Sequence, residues 1–305
     1  MRAILCTNYG KNYQFTQKEV PAATPSDQEV LIKIKAATVA SGDVVRATMG
    51  GFLKAKNGIL GQEFAGVVEA VGKKVTKFKV EDRVFGMVST GAHAEYITVP
   101  DKAPLAVIPK HISFEEAASL PFGANAALYF LKELKKGDHL LVRGASGAVG
   151  TFAVQYGKSV GAEVTGVCSS KNLDLVQSIG ADHVIDYTTT DFRTSGHTYD
   201  FIFNTVGHLP YQTVKSSLSP KGIYATTALN GGLVFQTFRS FLSQKNKVKC
   251  GITFITTRDI QTVRDLLEQR KIKGVIDRSY PLHQLTQAFH YVEQGHKTGS
   301  VLVLP

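Results

Sequence analysis

Cysteine is scarce in this 305-residue chain: there are three, Cys6, Cys168 and Cys250, far apart and never in C-x-x-C spacing. So few and so dispersed, they exclude a disulfide framework and a structural zinc knot. Each lies in an apolar stretch, which predicts three buried thiols. Long apolar runs are missing too. None reaches the ~18–20 residues needed to cross a bilayer, and the N-terminal MRAILCTNYG lacks the apolar core and cleavage site of a secretory signal. The expected compartment is the cytoplasm, with no membrane partner. Blocks of about five or more like charges are also absent. The formal charge of +10 is spread over small groups such as Lys54/Lys56, Lys73/Lys74, Lys135/Lys136 and Lys245/Lys247/Lys249. A solvated basic surface with a phosphorylated ligand accounts for it, and no nucleic-acid motif accompanies it.

What is present is an ordinary globular composition, 43% hydrophobic and 20% charged, in a chain long enough for two domains. Residues 1–110 read as β-rich, with short runs at Glu29–Lys35, Gly66–Val71, Arg83–Val88 and Ala94–Val99. Pro21, Pro25, Pro100, Pro104 and Pro109 punctuate the connections. At Ser113 the texture changes. Ser113-Phe114-Glu115-Glu116 is a capping box, and the helix it opens is interrupted at Pro121 before resuming through Ala126–Leu134. Beyond it, strands near 139–143, 163–168, 183–186, 200–205 and 222–227 alternate with helices near 149–160, 171–179 and 210–217, the rhythm of a doubly wound parallel sheet. Residues 248–256 read as one more strand, followed by helices at 258–270 and 282–294 and a closing strand Ser300–Leu304.

The chemistry concentrates between residues 139 and 171. An apolar run, Leu140–Val142, enters the turn Gly144-Ala145-Ser146-Gly147-Ala148-Val149-Gly150. A helix and a second apolar run, Val164–Cys168, follow. Small residues there let a backbone approach a pyrophosphate, and the helix start offers it free N–H groups and partial positive charge. Read as a nucleophile elbow, the segment fails because Ala148 stands where the last glycine is required. A dinucleotide enzyme that prefers NADH places an acid at the end of the second strand for the ribose 2′-hydroxyl. Here that end reads Val167-Cys168-Ser169-Ser170-Lys171-Asn172, and no acid lies between Glu163 and Asp174. Ser169, Ser170 and Lys171 suit a 2′-phosphate, so the expected cofactor is NADPH. Asn204-Thr205-Val206 and Ala228-Leu229-Asn230 fall at the carboxyl ends of later strands, where such sheets bind ligands.

The chain resembles the zinc-free quinone oxidoreductase branch of the medium-chain dehydrogenase/reductase superfamily. The resemblance rests on Glu29–Ala36, Gly61–Gly72, Asp82–Gly86, Glu115–Ala118, the 144–150 turn, Gly180–Tyr187 and Gly295–Val303, in order over essentially the whole length. It implies an α/β protein: a Rossmann domain (116–256) plus a β-rich GroES-like catalytic domain formed by 1–115 and 257–305, with the active site in the cleft between. It also implies that Tyr187 touches the 2′-phosphate, that Asn204, Val206 and Leu229 line the nicotinamide side, and that Lys297 and Gly299 approach the cofactor. Zinc members use a Cys, a G-H-E His and a third ligand; the matching positions hold Ala40 and Gln62, and residues 119–126 contain no Cys, His, Asp or Glu. The nine histidines show no H-x-H or H-x-x-x-H spacing, so no metal is expected. Asn125, Gln62 and Asp43 are the candidate catalytic residues.

Without a metal, hydride transfer to a quinone or an α,β-unsaturated carbonyl is the expected reaction, because a conjugated acceptor delocalises the negative charge. Enoyl-thioester reduction is the nearest rival. A non-catalytic NADPH-binding redox sensor or RNA-associated protein is the alternative of another class. A homodimer through strand 248–256 is expected.

Overall fold

The computed structural model describes residues 1–50, 54–55, 57–207, 209–227 and 247–305. The chain divides into two compact units, Met1–Phe122 with Ile255–Pro305, and Gly123–Phe254.

The first unit opens with an antiparallel pair, β1 (Arg2–Asn8) and β2 (Gln14–Glu19). Then come β3 (Glu29–Val39), α1 (Ser41–Met49), β4 (Glu63–Val71), β5 (Arg83–Met87), β6 (Tyr96–Pro100), β7 (Leu105–Val107) and α2 (Phe114–Ala118). In β3, Val30, Ile32 and Ile34 are buried in alternation, the period of a strand with one covered face. Helix α1 departs from the all-strand reading of this region. Its buried residues are Asp43 and Ala47, while Val45 and Met49 are exposed, so the apolar pattern that reveals most helices is inverted here.

The capping box at Ser113 forms only in part. Ser113 Oγ accepts from the Glu116 N–H at 3.1 Å, but the Glu116 carboxylate instead accepts from the Gly274 N–H at 3.1 Å, tying the C-terminal segment to α2. Pro121 then begins α3 (Pro121–Phe130). At the first helical position its missing N–H costs nothing. The boundary between the units falls within this helix, past the 115/116 junction expected, and α2 packs on β3 and β4 in the first unit.

The second unit is built on β8 (His139–Arg143), α4 (Ala148–Val160), β9 (Glu163–Cys168), α5 (Leu173–Ser178), β10 (His183–Asp186), β11 (Tyr199–Asn204), α6 (Tyr211–Val214), β12 (Leu218–Thr226) and β13 (Lys247–Cys250). All pairings are parallel, in the order β10-β9-β8-β11-β12-β13. This is the doubly wound order, with its topological switch beside β8. Leu141, Ile202, Tyr224 and Val248 are among its core residues. The expected strand 248–256 is shorter: the ladder ends at Thr226↔Cys250, because β12 supplies no partner beyond Thr226. Ile252 and Phe254 stand 71% and 82% exposed past its end. Cys6 and Cys168 are buried, but Cys250 is only half-buried because it lies on this edge strand.

The remaining segment supplies α7 (Thr257–Glu268), β14 (Ile276–Pro281), α8 (Leu285–Glu293) and β15 (Ser300–Leu304). Strand β15 pairs antiparallel with β3, Val301 opposite Val39, and completes the seven-stranded sheet of the first unit. Phe289 of α8 packs into its core with Ile32, Phe64 and Val301. Among the described residues no helix is long and apolar enough to cross a membrane.

Candidate functional site

The glycine turn follows from β8 and α4. Gly144 takes φ +83°, and a side chain there would strike Val206 Cγ2 at 2.3 Å. The N–H groups of Gly144 and Ala145 donate to Val167 O at 3.0 and 3.1 Å, which pins the turn to the end of β9. A Cβ at Gly150 would sit 2.0 Å from Gly144 O, so the turn closes on that glycine; at Gly147 the nearest atom is Gly144 O at 3.6 Å. Gly150 is therefore demanded by the fold, whereas Gly147 leaves open space in front of the helix. No side chain caps α4, so the N–H groups of its first turn, at Ala148, Val149 and Gly150, are left for a ligand.

Ser146 is held from across the sheet end. Asn172, buried, donates through Nδ2 to Ser146 Oγ at 3.0 Å and to Ser169 Oγ at 3.4 Å. This residue was not singled out from the sequence; it links the glycine turn to the 169–171 segment. Ser170 and Lys171 are exposed. Tyr187 is 61% exposed, and its N–H donates to Cys168 O at 3.0 Å, so the structure gathers Ser169, Ser170, Lys171 and Tyr187 at one strand end. Glu163 lies at the opposite end of β9, against His139 and His183.

Asn204 is fully buried and its carboxamide is engaged. Its Oδ1 accepts from Arg143 Nη1 at 3.0 Å and from the Val206 N–H at 3.4 Å, while Nδ2 donates to Tyr224 OH at 3.2 Å and Thr226 Oγ1 at 3.4 Å. It thus positions the Val206 loop. Val206 itself is 58% exposed beside Gly144. Leu229 lies outside the described residues. Asn125, on α3, donates through Nδ2 to Thr253 O at 3.2 Å. Its buried Oδ1 has no hydrogen-bond partner among the described residues, a position that carries a desolvation cost until a donor arrives.

The other candidates belong to the first unit. Asp43 is buried and accepts from the Ala40 N–H at 2.9 Å and the Gly61 N–H at 3.2 Å, so it staples the start of α1 to the entry of β4. Burial raises its pKa to about 7 against the pull of those N–H groups. Gln62 is half-buried, with its Oε1 beside Gly42. The neighbouring Glu63, passed over in the sequence reading, is buried too. It accepts from Thr38 Oγ1 and from the Phe122 N–H, and desolvation pushes its pKa to about 7. Lys297 Nζ donates to Gly299 O at 2.6 Å. Desolvation lowers its pKa to about 8, with Glu63 and Asp277 opposing. Gly299 takes φ +70°, and a Cβ there would meet Val275 O at 2.2 Å. Lys297 and Gly299 are therefore grouped with Glu63 in the first unit.

At the positions that the resemblance matches to zinc ligands stand Ala40 and Gln62. Ala40 has no donor atom, the Asp43 carboxylate and that of Glu63 are both occupied by N–H or O–H donors, and among the described residues no three His, Cys, Asp or Glu side chains cluster to hold a metal.

A doubly wound parallel sheet with a glycine turn at its switch point, in a chain with a separate β-rich unit, defines a dehydrogenase-type oxidoreductase. Residues 26–110 match the alcohol dehydrogenase GroES-like domain and residues 179–303 the zinc-binding dehydrogenase domain. The chain is 30% identical over 326 residues to the chloroplastic quinone-oxidoreductase homolog of Spinacia oleracea, covering 100% of this chain and 98% of that protein. It is 32% identical over 298 residues to the chloroplastic NADPH-dependent alkenal/one oxidoreductase of Arabidopsis thaliana, covering 92% and 72%. The quinone oxidoreductase structure from Coxiella burnetii superposes with a TM-score of 0.87 at 25% identity, covering 100% and 99%. The chain belongs to the medium-chain dehydrogenase/reductase superfamily, among relatives of the quinone oxidoreductases and alkenal/one reductases.

Proposed function

We propose that the chain is a metal-independent, NADPH-dependent reductase of quinones or α,β-unsaturated carbonyls. The observation that carries this reading is the uncapped start of α4 behind an open Gly147, with Ser169, Ser170, Lys171 and Tyr187 gathered at the adjoining strand end. The α4 N–H groups hold the pyrophosphate. Ser169, Ser170 and Lys171 hold the 2′-phosphate, each charge-assisted bond contributing about 1.5–3 kcal/mol. When bound, NADPH supplies the hydride.

Asn125 presents its buried Oδ1 as an acceptor, while one of its two Nδ2 hydrogens goes to Thr253 O. That oxygen suits a carboxamide N–H, so Asn125 is assigned to orient the nicotinamide. Gln62 and Asp43 serve differently: Asp43 braces the loop that carries Gln62, and Gln62 offers an amide to the acceptor. A saturated alcohol needs a base or Lewis acid to ionise its hydroxyl. A conjugated acceptor needs orientation and exclusion of water, effects worth up to ~7–11 kcal/mol, with the proton drawn from solvent.

Beyond the site, exposed Ile252 and Phe254 follow β13. The expected homodimer through residues 248–256 would bring these side chains against a second copy, and sedimentation reports it.

The test is NADPH oxidation at 340 nm with quinones, enones and enoyl thioesters in parallel. Turnover of quinones or enones is expected. Turnover of thioesters alone would reassign the acceptor, and cofactor binding without turnover on any of them would move the chain to the non-catalytic class.

A further inference from the structure

The segment after β9 contains no acid, yet the fold delivers one from the neighbouring strand. Asp186 ends β10 in register with Cys168, the last residue of β9, and so lies beside Ser169 and Ser170. Its position is fixed: Oδ1 accepts from the Thr188 N–H at 2.9 Å and from Thr188 Oγ1 at 2.7 Å. The Ser170 hydroxyl and N–H face the same carboxylate and, after Thr188, help to hold its pKa below the usual aspartate range. The Asp186 charge also reaches the Cys168 thiol, whose pKa, raised chiefly by burial, it pushes higher. No carboxylate nearer in sequence does this; only the parallel pairing of β9 with β10 brings it there.

We propose that Asp186 is a cofactor-discriminating residue: its carboxylate opposes the 2′-phosphate held by Ser169, Ser170 and Lys171, narrows the preference for NADPH, and leaves NADH usable. The proposal rests on the dinucleotide reading above. Two donors of Ser170 face an anion belonging to the protein, so an arriving phosphate must share them or displace it. A ribose 2′-hydroxyl meets no such opposition and can donate to the carboxylate. Asp186 thus does from the adjacent strand what an acid at the end of the second strand does in NADH enzymes, while Lys171 pulls the other way.

Asp186→Asn removes the charge and keeps an oxygen for the Thr188 turn. Calorimetric titration of wild type and D186N with 2′,5′-ADP and 5′-AMP, beside NADPH and NADH, reads the effect without turnover. The 2′,5′-ADP/5′-AMP affinity ratio is expected to rise about five- to twenty-fold, the order of a half-buried carboxylate set against a dianion, with 5′-AMP binding unchanged or weakened. Equal losses for both nucleotides would make Asp186 a structural brace only. An unchanged ratio would overturn the proposal and leave the dinucleotide site standing. Failure of wild type to bind either nucleotide would overturn the site and the proposal together. Asp186→Ser, which also retains the turn, must shift the ratio in the same direction; an opposite shift would overturn the electrostatic account.

Discussion

Glu63 Oε1 accepts a hydrogen bond from the Phe122 backbone N–H at 2.6 Å, so a buried carboxylate on β4 caps the first turn of α3, the helix that carries Asn125. Its other oxygen accepts from Thr38 Oγ1. Desolvation dominates its pKa, which rises from 4.5 to about 7 despite these donors and with a further push from Asp43. A raised carboxyl pKa means that the neutral form favours the fold. That stability is fully present below 4.5 and is lost as pH rises through 7. Glu63→Gln keeps an acceptor for Phe122 and cannot ionise. It is expected to match wild type in melting temperature near pH 5 and to exceed it at pH 8, by up to about 2–3 kcal/mol in stability. A difference that does not change with pH would show that ionisation of Glu63 carries no such cost.

The last two glycines of the turn separate folding from binding. At Gly150 a methyl group would sit 2.0 Å from Gly144 O and 2.7 Å from Ala145 Cα. Gly150→Ala should therefore destabilise the second unit by about 2–4 kcal/mol, in the range of strongly strained core substitutions. Gly147 has φ −79° and ψ 171°, open to any residue, and its nearest atom is 3.6 Å away. Gly147→Ala should melt like wild type while weakening NADPH by about tenfold or more, because the new methyl faces the ligand. Calorimetry and cofactor titration on the two proteins check the contrast; normal NADPH affinity in Gly147→Ala would remove the pyrophosphate from this turn.

The second unit was largely legible in the sequence because its signals are local. Apolar runs, a glycine turn and helical periods give β8, α4 and β9 in order, and strand-end chemistry locates Ser169–Lys171. What escaped depends on neighbours brought together by pairing. Asp186 is 18 positions beyond Cys168 in sequence yet opposite it in the sheet, and Asn172 joins two loops through one buried amide. Helix α1 escaped because its buried face carries Asp43, whose cost is met by the Ala40 and Gly61 N–H groups. Glu116 was legible as a helix-start residue, but its carboxylate is claimed by Gly274. Strand 248–256 was overextended because its apolar alternation continues through Ile252 and Phe254 after the partner strand has ended.

Lys171 supplies the exposed cation at the end of β9, next to Ser170. If it holds the 2′-phosphate, Lys171→Ala should raise the Michaelis constant for NADPH about tenfold and leave that for NADH nearly unchanged, since a lost charge-assisted bond is worth about 1.5 kcal/mol or more. The effect should shrink at high salt, because an exposed pair is screened. Equal changes for the two cofactors would take Lys171 out of the phosphate site and leave the discrimination to Ser169, Ser170 and Tyr187.

Asn125 offers the sharpest test of orientation. Its Nδ2 donates to Thr253 O, and its buried Oδ1 has no donor among the described residues. A bound carboxamide N–H would satisfy that oxygen, so cofactor binding repays a desolvation already incurred by the fold. Asn125→Ala removes both groups. Turnover with quinones and enones should fall together, by about tenfold, because the lost contact is to the cofactor common to both reactions and not to either acceptor. Stability should change little, since the variant loses one hydrogen bond but also one unpaired buried oxygen. A fall confined to one acceptor class would instead place Asn125 against the substrate, and unchanged rates would reduce it to part of the α3 scaffold.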